Sequence, residues 1–168
     1  LGLWIVGDSP TIYYWDAYER IALHDQFVVR RWLPALQAVI RGVMSVTGEV
    51  AILRGVLALI SAGAVAAAFA CGTRMGGLRA ACIGALWLAS NRMFIEFATV
   101  PYQEPLLFLT VFAGYYAFEL GEQGSRTARI AAMVCLNLAC LTRYEGWLAL
   151  GALALDRTWC ARREGWLR

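Results

Sequence analysis

The chain contains no lysine; its fifteen basic residues are all arginine. We read this as compositional bias with little chemical meaning. Charge of either sign is scarce. Charged residues make up 16% of the 168 positions, against about 25% in a typical soluble domain. With 60% hydrophobic residues and a mean hydropathy of +0.57, the deficit points to a bilayer. There is one histidine, His24, with no second ligand at metal spacing. The five cysteines, Cys71, Cys82, Cys135, Cys140 and Cys160, form no CxxC pair and no Cys/His spacing. They read as buried free thiols. No internal repeat or low-complexity tract is present. The net charge is +3, but the arginines sit in short clusters between apolar runs. That is the pattern of membrane-loop anchors, and it excludes nucleic acid as a partner.

What is present is a series of apolar runs separated by short polar turns. Residues 1–7 are apolar and begin without Met, so both ends of the chain read as cut, with residues 1–7 the tail of a first helix. Residues 8–48 are polar and aromatic, and read as an outer loop at a membrane interface. Tyr14, Tyr18 and Ile21 recur at helical spacing there, which predicts an amphipathic helix lying on the membrane. Apolar runs follow at 51–72, 80–95, 106–120, 130–141 and 147–155. The last two are shorter than the roughly 17–20 residues of a full span. Their junction, Thr142-Arg143-Tyr144-Glu145-Gly146, is therefore expected to dip into the protein and line a polar cavity. Residues 49–156 read as transmembrane helices and 157–168 as a cytoplasmic loop. Asn137, inside the fourth run, is expected to hydrogen-bond another helix.

Arginine placement orients the chain. Arg74, Arg79, Arg126, Arg129, Arg157, Arg162, Arg163 and Arg168 fall in alternate connections, which the positive-inside rule puts in the cytoplasm. Three acidic motifs then share the opposite face: Gly7-Asp8-Ser9-Pro10, Gln103-Glu104-Pro105 and Arg143-Tyr144-Glu145-Gly146. Ionisable groups near hydrocarbon are costly and usually mark a site. A carboxylate at the bilayer edge suits a general base, and an arginine fork suits a lipid phosphate. Each residue also has a plain structural reading. Asp8 suits a helix N-cap with Pro10 behind it. Glu104 suits a helix-start carboxylate. Arg143 and Glu145 suit an ion pair tying two short helices together. Asp16, Glu19 and Arg20 suit a solvated helix face.

The order of these motifs resembles the N-terminal part of the GT-C type, polyprenyl-phosphate-dependent glycosyltransferases. That group includes protein O-mannosyltransferases and bacterial transferases acting on lipopolysaccharide sugars. The resemblance rests on Gly7-Asp8-Ser9, Trp32-Leu33-Pro34, Glu104-Pro105-Leu106 and Leu141-Thr142-Arg143-Tyr144-Glu145-Gly146-Trp147. It implies an all-α fold, a polytopic transmembrane helical bundle with an amphipathic first outer loop. It implies an inverting sugar transfer from a polyprenyl-phosphate donor to a glycan, lipid or protein acceptor. The site would face outward from a plasma or inner membrane. Asp8 would be the general base and Glu104 a second catalytic acid group. Asp16, Trp32, Arg143, Tyr144 and Glu145 would contact substrate. Asp8 and Glu104 are also the two candidates to hold a divalent metal ion. The aromatic stretch Ile12-Tyr13-Tyr14-Trp15 departs from the family pattern, and Asp16 there competes with Asp8. A transporter or lipid flippase, and a non-catalytic membrane subunit, are the alternative classes.

Overall fold

In a computed structural model of the chain, the described residues are 15–24 and 33–166. They are all-α, with no strand among them. The helices are α1 (Trp15–Ala22), α2 (Pro34–Thr47), α3 (Val50–Ser90), α4 (Arg92–Phe97), α5 (Glu104–Glu122), α6 (Arg126–Thr142) and α7 (Tyr144–Trp166).

The expected amphipathic helix appears in part as α1; Tyr14 lies outside the described residues. The rest of the expected outer loop is more ordered than the sequence suggested, because Pro34 starts α2 and Gly48 ends it. Leu33 takes the extended backbone favoured before proline. Gly48 adopts φ 65° and donates its N–H to the Met44 carbonyl. Gln37 is buried and donates through Nε2 to the Leu23 carbonyl at 3.0 Å and the Arg20 carbonyl at 3.3 Å. It thus satisfies carbonyls at the end of α1 that the helix leaves open. Leu36, Ile40, Leu53 and Leu57 form the core beneath, with Ile21 and Leu106 packed against them.

Among the described residues one helix, Val50–Ser90, is long and apolar enough to cross a membrane. Straight, its 41 residues would reach about 60 Å, twice the roughly 30 Å of a hydrocarbon core. It is not straight. Gly77 sits at φ 75° and ψ −177°, a conformation open essentially to glycine, and the chain folds back there. Small residues let the two arms close up. A Cβ built on Gly72 would lie 2.8 Å from the Ala81 Cα. Further along, Ala64 packs with Leu88 and Phe94. The Ser61 hydroxyl reaches the Ala98 carbonyl at 3.4 Å. The loop expected at Thr73-Arg74-Met75-Gly76-Gly77-Leu78-Arg79 is thus a one-residue hinge between helical arms. The run expected at 80–95 is also divided, because Asn91 leaves the helix and caps α4, accepting from the Phe94 N–H at 3.2 Å.

α5 and α6 make a second hairpin. Gly114 lies against Leu136 and Gly121 against Arg129. Ser125 caps α6 by accepting from the Ala128 N–H at 3.2 Å. α6 ends at Thr142, and one extended residue, Arg143, leads into α7. α7 continues to Trp166, past the boundary expected near 156. The Tyr115 hydroxyl donates to the Ala149 carbonyl at 3.3 Å, and Arg157 pairs with Glu119, so α7 runs alongside α5 in the same direction. α5 is the central element, touching α3, α6 and α7. The outward faces remain apolar, with Leu59, Ile83, Trp87, Met133 and Leu148 all exposed.

A candidate ionic site at one end of the bundle

Glu104 and Arg143 are 39 residues apart in sequence and meet at one end of the bundle. Glu104 is the first residue of α5, with Gln103 at the N-cap, making no side-chain capping bond, and Pro105 after it. Its carboxylate lies at the positive end of the helix dipole. Arg143 occupies the bend between α6 and α7. Its N–H still bonds back to the Ala139 carbonyl at 3.1 Å, while its own carbonyl accepts from Gly146 at 3.0 Å. The bend is tight because Gly146 rests directly on the backbone of Ala139.

The guanidinium is shared. Nη1 donates to Glu104 Oε1. Nε donates to Glu145 Oε2 at 3.0 Å and Nη2 to Glu145 Oε1 at 2.7 Å, a bidentate fork. Exposure grades across the cluster: 26% for the Glu104 side chain, 31% for Arg143 and 51% for Glu145. The Glu145 hydrogen bonds, above all, hold the Arg143 proton more tightly than in an ordinary arginine. Burial opposes this, and the Glu104 charge adds to it.

Glu104 has one oxygen left over. Oε2 is buried and accepts no hydrogen bond, and the neighbouring Gln103 Nε2 is buried and donates none. A buried acceptor and a buried donor thus lie on adjacent residues at this helix start. Gln103 lies within the acidic motif, but a lone glutamine carries no sequence signal of its own. Beside Glu104 opens a cleft of about 210 Å³, lined mostly by apolar side chains including Trp87, Met93, Phe94 and Phe108.

The other expected residues divide. Tyr144 takes no part in the cluster: it is 73% exposed and forms no bond with it. Asp8 and Trp32 lie outside the described residues, and Asp16 is on α1 with its side chain outside them. Among the described residues, no group of three or more His, Cys, Asp or Glu side chains is arranged to hold a metal ion. Glu104 itself does not suit a cation as it stands, because the Arg143 guanidinium already holds Oε1 and would repel one.

A second ionic cluster marks the opposite end. Arg157 pairs with Glu119, lies 3.9 Å from Glu122 and covers the Phe118 ring at 4.8 Å. Arg74 covers the Tyr116 ring at 5.8 Å, and Arg129 packs on Gly121. Glu104 and Glu119 are fifteen residues apart on α5, a separation of about 23 Å. The sequence reads all three arginines as loop anchors and does not reveal the pairing of Arg157 with Glu119 or the packing of Arg74 on Tyr116.

The chain matches no protein-family model, no curated protein and no solved structure.

Proposed function

We propose that this chain is part of a polytopic membrane glycosyltransferase that moves a sugar from a polyprenyl-phosphate donor to an acceptor outside the cytoplasm. The membrane is the plasma or inner membrane, and the Glu104 end faces outward. The observation that carries the reading is the Glu104–Arg143–Glu145 cluster, half-buried at one end of an apolar bundle, with a carboxylate oxygen to spare. Arg143 acts here as a positioning residue. It fixes one Glu104 oxygen and leaves the other to accept from a sugar or acceptor hydroxyl, with Gln103 as the matching donor. With both carboxylates ionised the cluster is net negative, so it orients hydroxyls rather than gathering phosphate. The apolar cleft beside it suits a lipid chain. Asp8, assigned by resemblance, takes the acceptor hydroxyl proton. The acceptor oxygen bonds to the anomeric carbon as the carbon–oxygen bond to the lipid phosphate breaks. The arginine-rich end with Arg74, Arg129 and Arg157 lies opposite, which supports a cytoplasmic placement for that end.

The test is label transfer from a panel of radiolabelled polyprenyl-phosphate hexoses and pentoses in membranes containing the full chain. Asp8→Asn should abolish transfer at unchanged protein level. Glu104→Gln should reduce it at least tenfold, the order expected for a lost charged contact to substrate. Transfer that persists in Asp8→Asn removes Asp8 as the base. No transfer by the unaltered chain from any donor sinks the enzymatic reading.

A second reading has its own support. Three of the five Arg143 N–H donors are engaged, one of them tying the start of α5 to the α6–α7 bend, which is what a helix clasp in a non-catalytic membrane subunit requires. On that reading Glu104→Gln lowers thermal stability and no variant changes a chemical product.

A further inference from the structure

The end of the bundle opposite Glu104 carries four exposed arginines. Arg74 and Arg79 flank the Gly77 hinge of α3, and Arg126 and Arg129 lie one turn apart at the start of α6. Among the described residues none of the four is in an ion pair; Glu119 and Glu122, at that end of α5, face Arg157 instead. Neither stretch, 73–79 nor 123–131, contains Asp or Glu. The placement is unfavourable by itself. Arg126 and Arg129 are like charges at i,i+3 spacing, at a helix end whose dipole disfavours cations. The two pairs also share a depth. Arg74 stands over Tyr116 and Arg129 rests on Gly121, which is about 8 Å further along α5. That is comparable to one headgroup layer, and Gly121 lies about 26 Å from Glu104, close to the roughly 30 Å of a hydrocarbon core.

We propose that these four arginines bind the phosphates of anionic phospholipids in the surrounding bilayer. A guanidinium fork matches phosphate oxygens two at a time, and here no carboxylate has to be displaced first. The partner must also meet hydrocarbon at the same depth, because Met75, Leu78 and Ile130 stand exposed among the arginines. One lipid molecule does both, with its phosphate on the guanidinium and its upper acyl chain on the apolar side chains and arginine stems. An acidic soluble protein would answer the charge and leave the apolar side chains in water. A zwitterionic lipid brings its own cation to the same place, so a net negative headgroup is preferred. The Glu104 end makes no such demand. Arg92 there holds Glu96, and Arg143 holds Glu104 and Glu145. The preference for anionic lipid therefore belongs to one end of the molecule.

The inference rests on the membrane reading and not on sugar transfer. Its test uses the full chain reconstituted in phosphatidylcholine bilayers that carry a trace of spin-labelled phosphatidylglycerol or spin-labelled phosphatidylcholine. The fraction of label slowed by the protein gives the relative affinity. Phosphatidylglycerol should be preferred about fivefold, the order one basic residue contributes against anionic lipid. The double variants Arg74→Gln/Arg79→Gln and Arg126→Gln/Arg129→Gln should each lower this to about twofold, and all four together should abolish it. Arg126→Lys/Arg129→Lys, which keeps the charge, should retain most of it. Arg92→Gln, at the other end, should change nothing. High salt should reduce the preference of the unaltered chain, which decides the matter even where a variant does not reconstitute. Equal slowing of both labels, a preference indifferent to salt, or one that survives the fourfold variant overturns the proposal. Alkaline carbonate extraction of native membranes runs in parallel. Release into the supernatant overturns the membrane reading, whereas a pelleted chain with no lipid preference overturns the headgroup contact alone.

Discussion

A single methyl group at Gly146 should destabilise the candidate site more than any neighbouring alanine substitution. A Cβ built there lies 2.3 Å from the Ala139 carbonyl oxygen, 2.4 Å from its carbon and 2.7 Å from the Cys140 nitrogen. All three are backbone atoms of α6, so no rotamer change relieves the clash. α7 must retreat by about 1 Å to restore ordinary contact. That retreat lengthens the Trp147 Nε1–H bond to the Cys140 carbonyl, now 2.9 Å, and pulls Glu145 away from Arg143. Over-packing of this kind costs about 1–3 kcal/mol. One lost hydrogen bond adds roughly 1 kcal/mol. Alanine returns about 1 kcal/mol through its helix propensity. The net loss for Gly146→Ala is about 1–3 kcal/mol. Gly151 lies on the same helix with nothing within 4 Å of its built Cβ, so Gly151→Ala keeps only the propensity gain. The assay is the fraction of monodisperse protein surviving heating in detergent, at one fixed scan rate. Gly146→Ala should melt below the unaltered chain and Gly151→Ala at or above it. A Gly146→Ala variant that melts with Gly151→Ala refutes the close approach of α6 and α7, and with it the placement of Glu145 on Arg143.

Two further outcomes follow from the fold. Gly77→Ala should cost roughly 1–3 kcal/mol through backbone strain alone, since its φ of 75° disfavours any side chain and nothing lies within 4 Å. Gly84→Ala, helical and equally uncrowded, should cost nothing in the same melting assay; equal effects would remove the hinge. Paired topology reporters placed after Gln103 and after Gly124, the two ends of α5, should report opposite sides of the membrane. Reporters on the same side would end both the polytopic reading and the outward placement of Glu104.

Much of the local structure was legible without coordinates. Apolar runs at 51–72, 106–120 and 130–141 each became helix, because a chain that must satisfy its own backbone in apolar surroundings has few alternatives. The helix start at Glu104-Pro105 followed from chemistry too, whereas those at Pro34 and Ser125 emerged only in the structure. The polar motifs singled out around Glu104 and Arg143 also proved to share one end of the bundle.

Other features depended on which faces meet, and apolar periodicity does not encode that when helices are apolar all round. The pairing of Glu104 with Arg143 needed α5 and the α6–α7 bend to be neighbours, and glycines at 114, 121 and 146 allow that approach. The Glu119–Arg157 pair at the far end arises only because α7 lies parallel to α5. Asn137 read as an internal helix tie, yet it points outward, since the narrow side of α6 with Ala132 and Ala139 packs closest. Sequence alone determined that the long apolar runs form helices, because backbone satisfaction acts within a few residues, but not where several of those helices begin, break or end. Only the tertiary structure decided which charges meet and which amide is left facing out, because those depend on close contacts between residues distant in the chain.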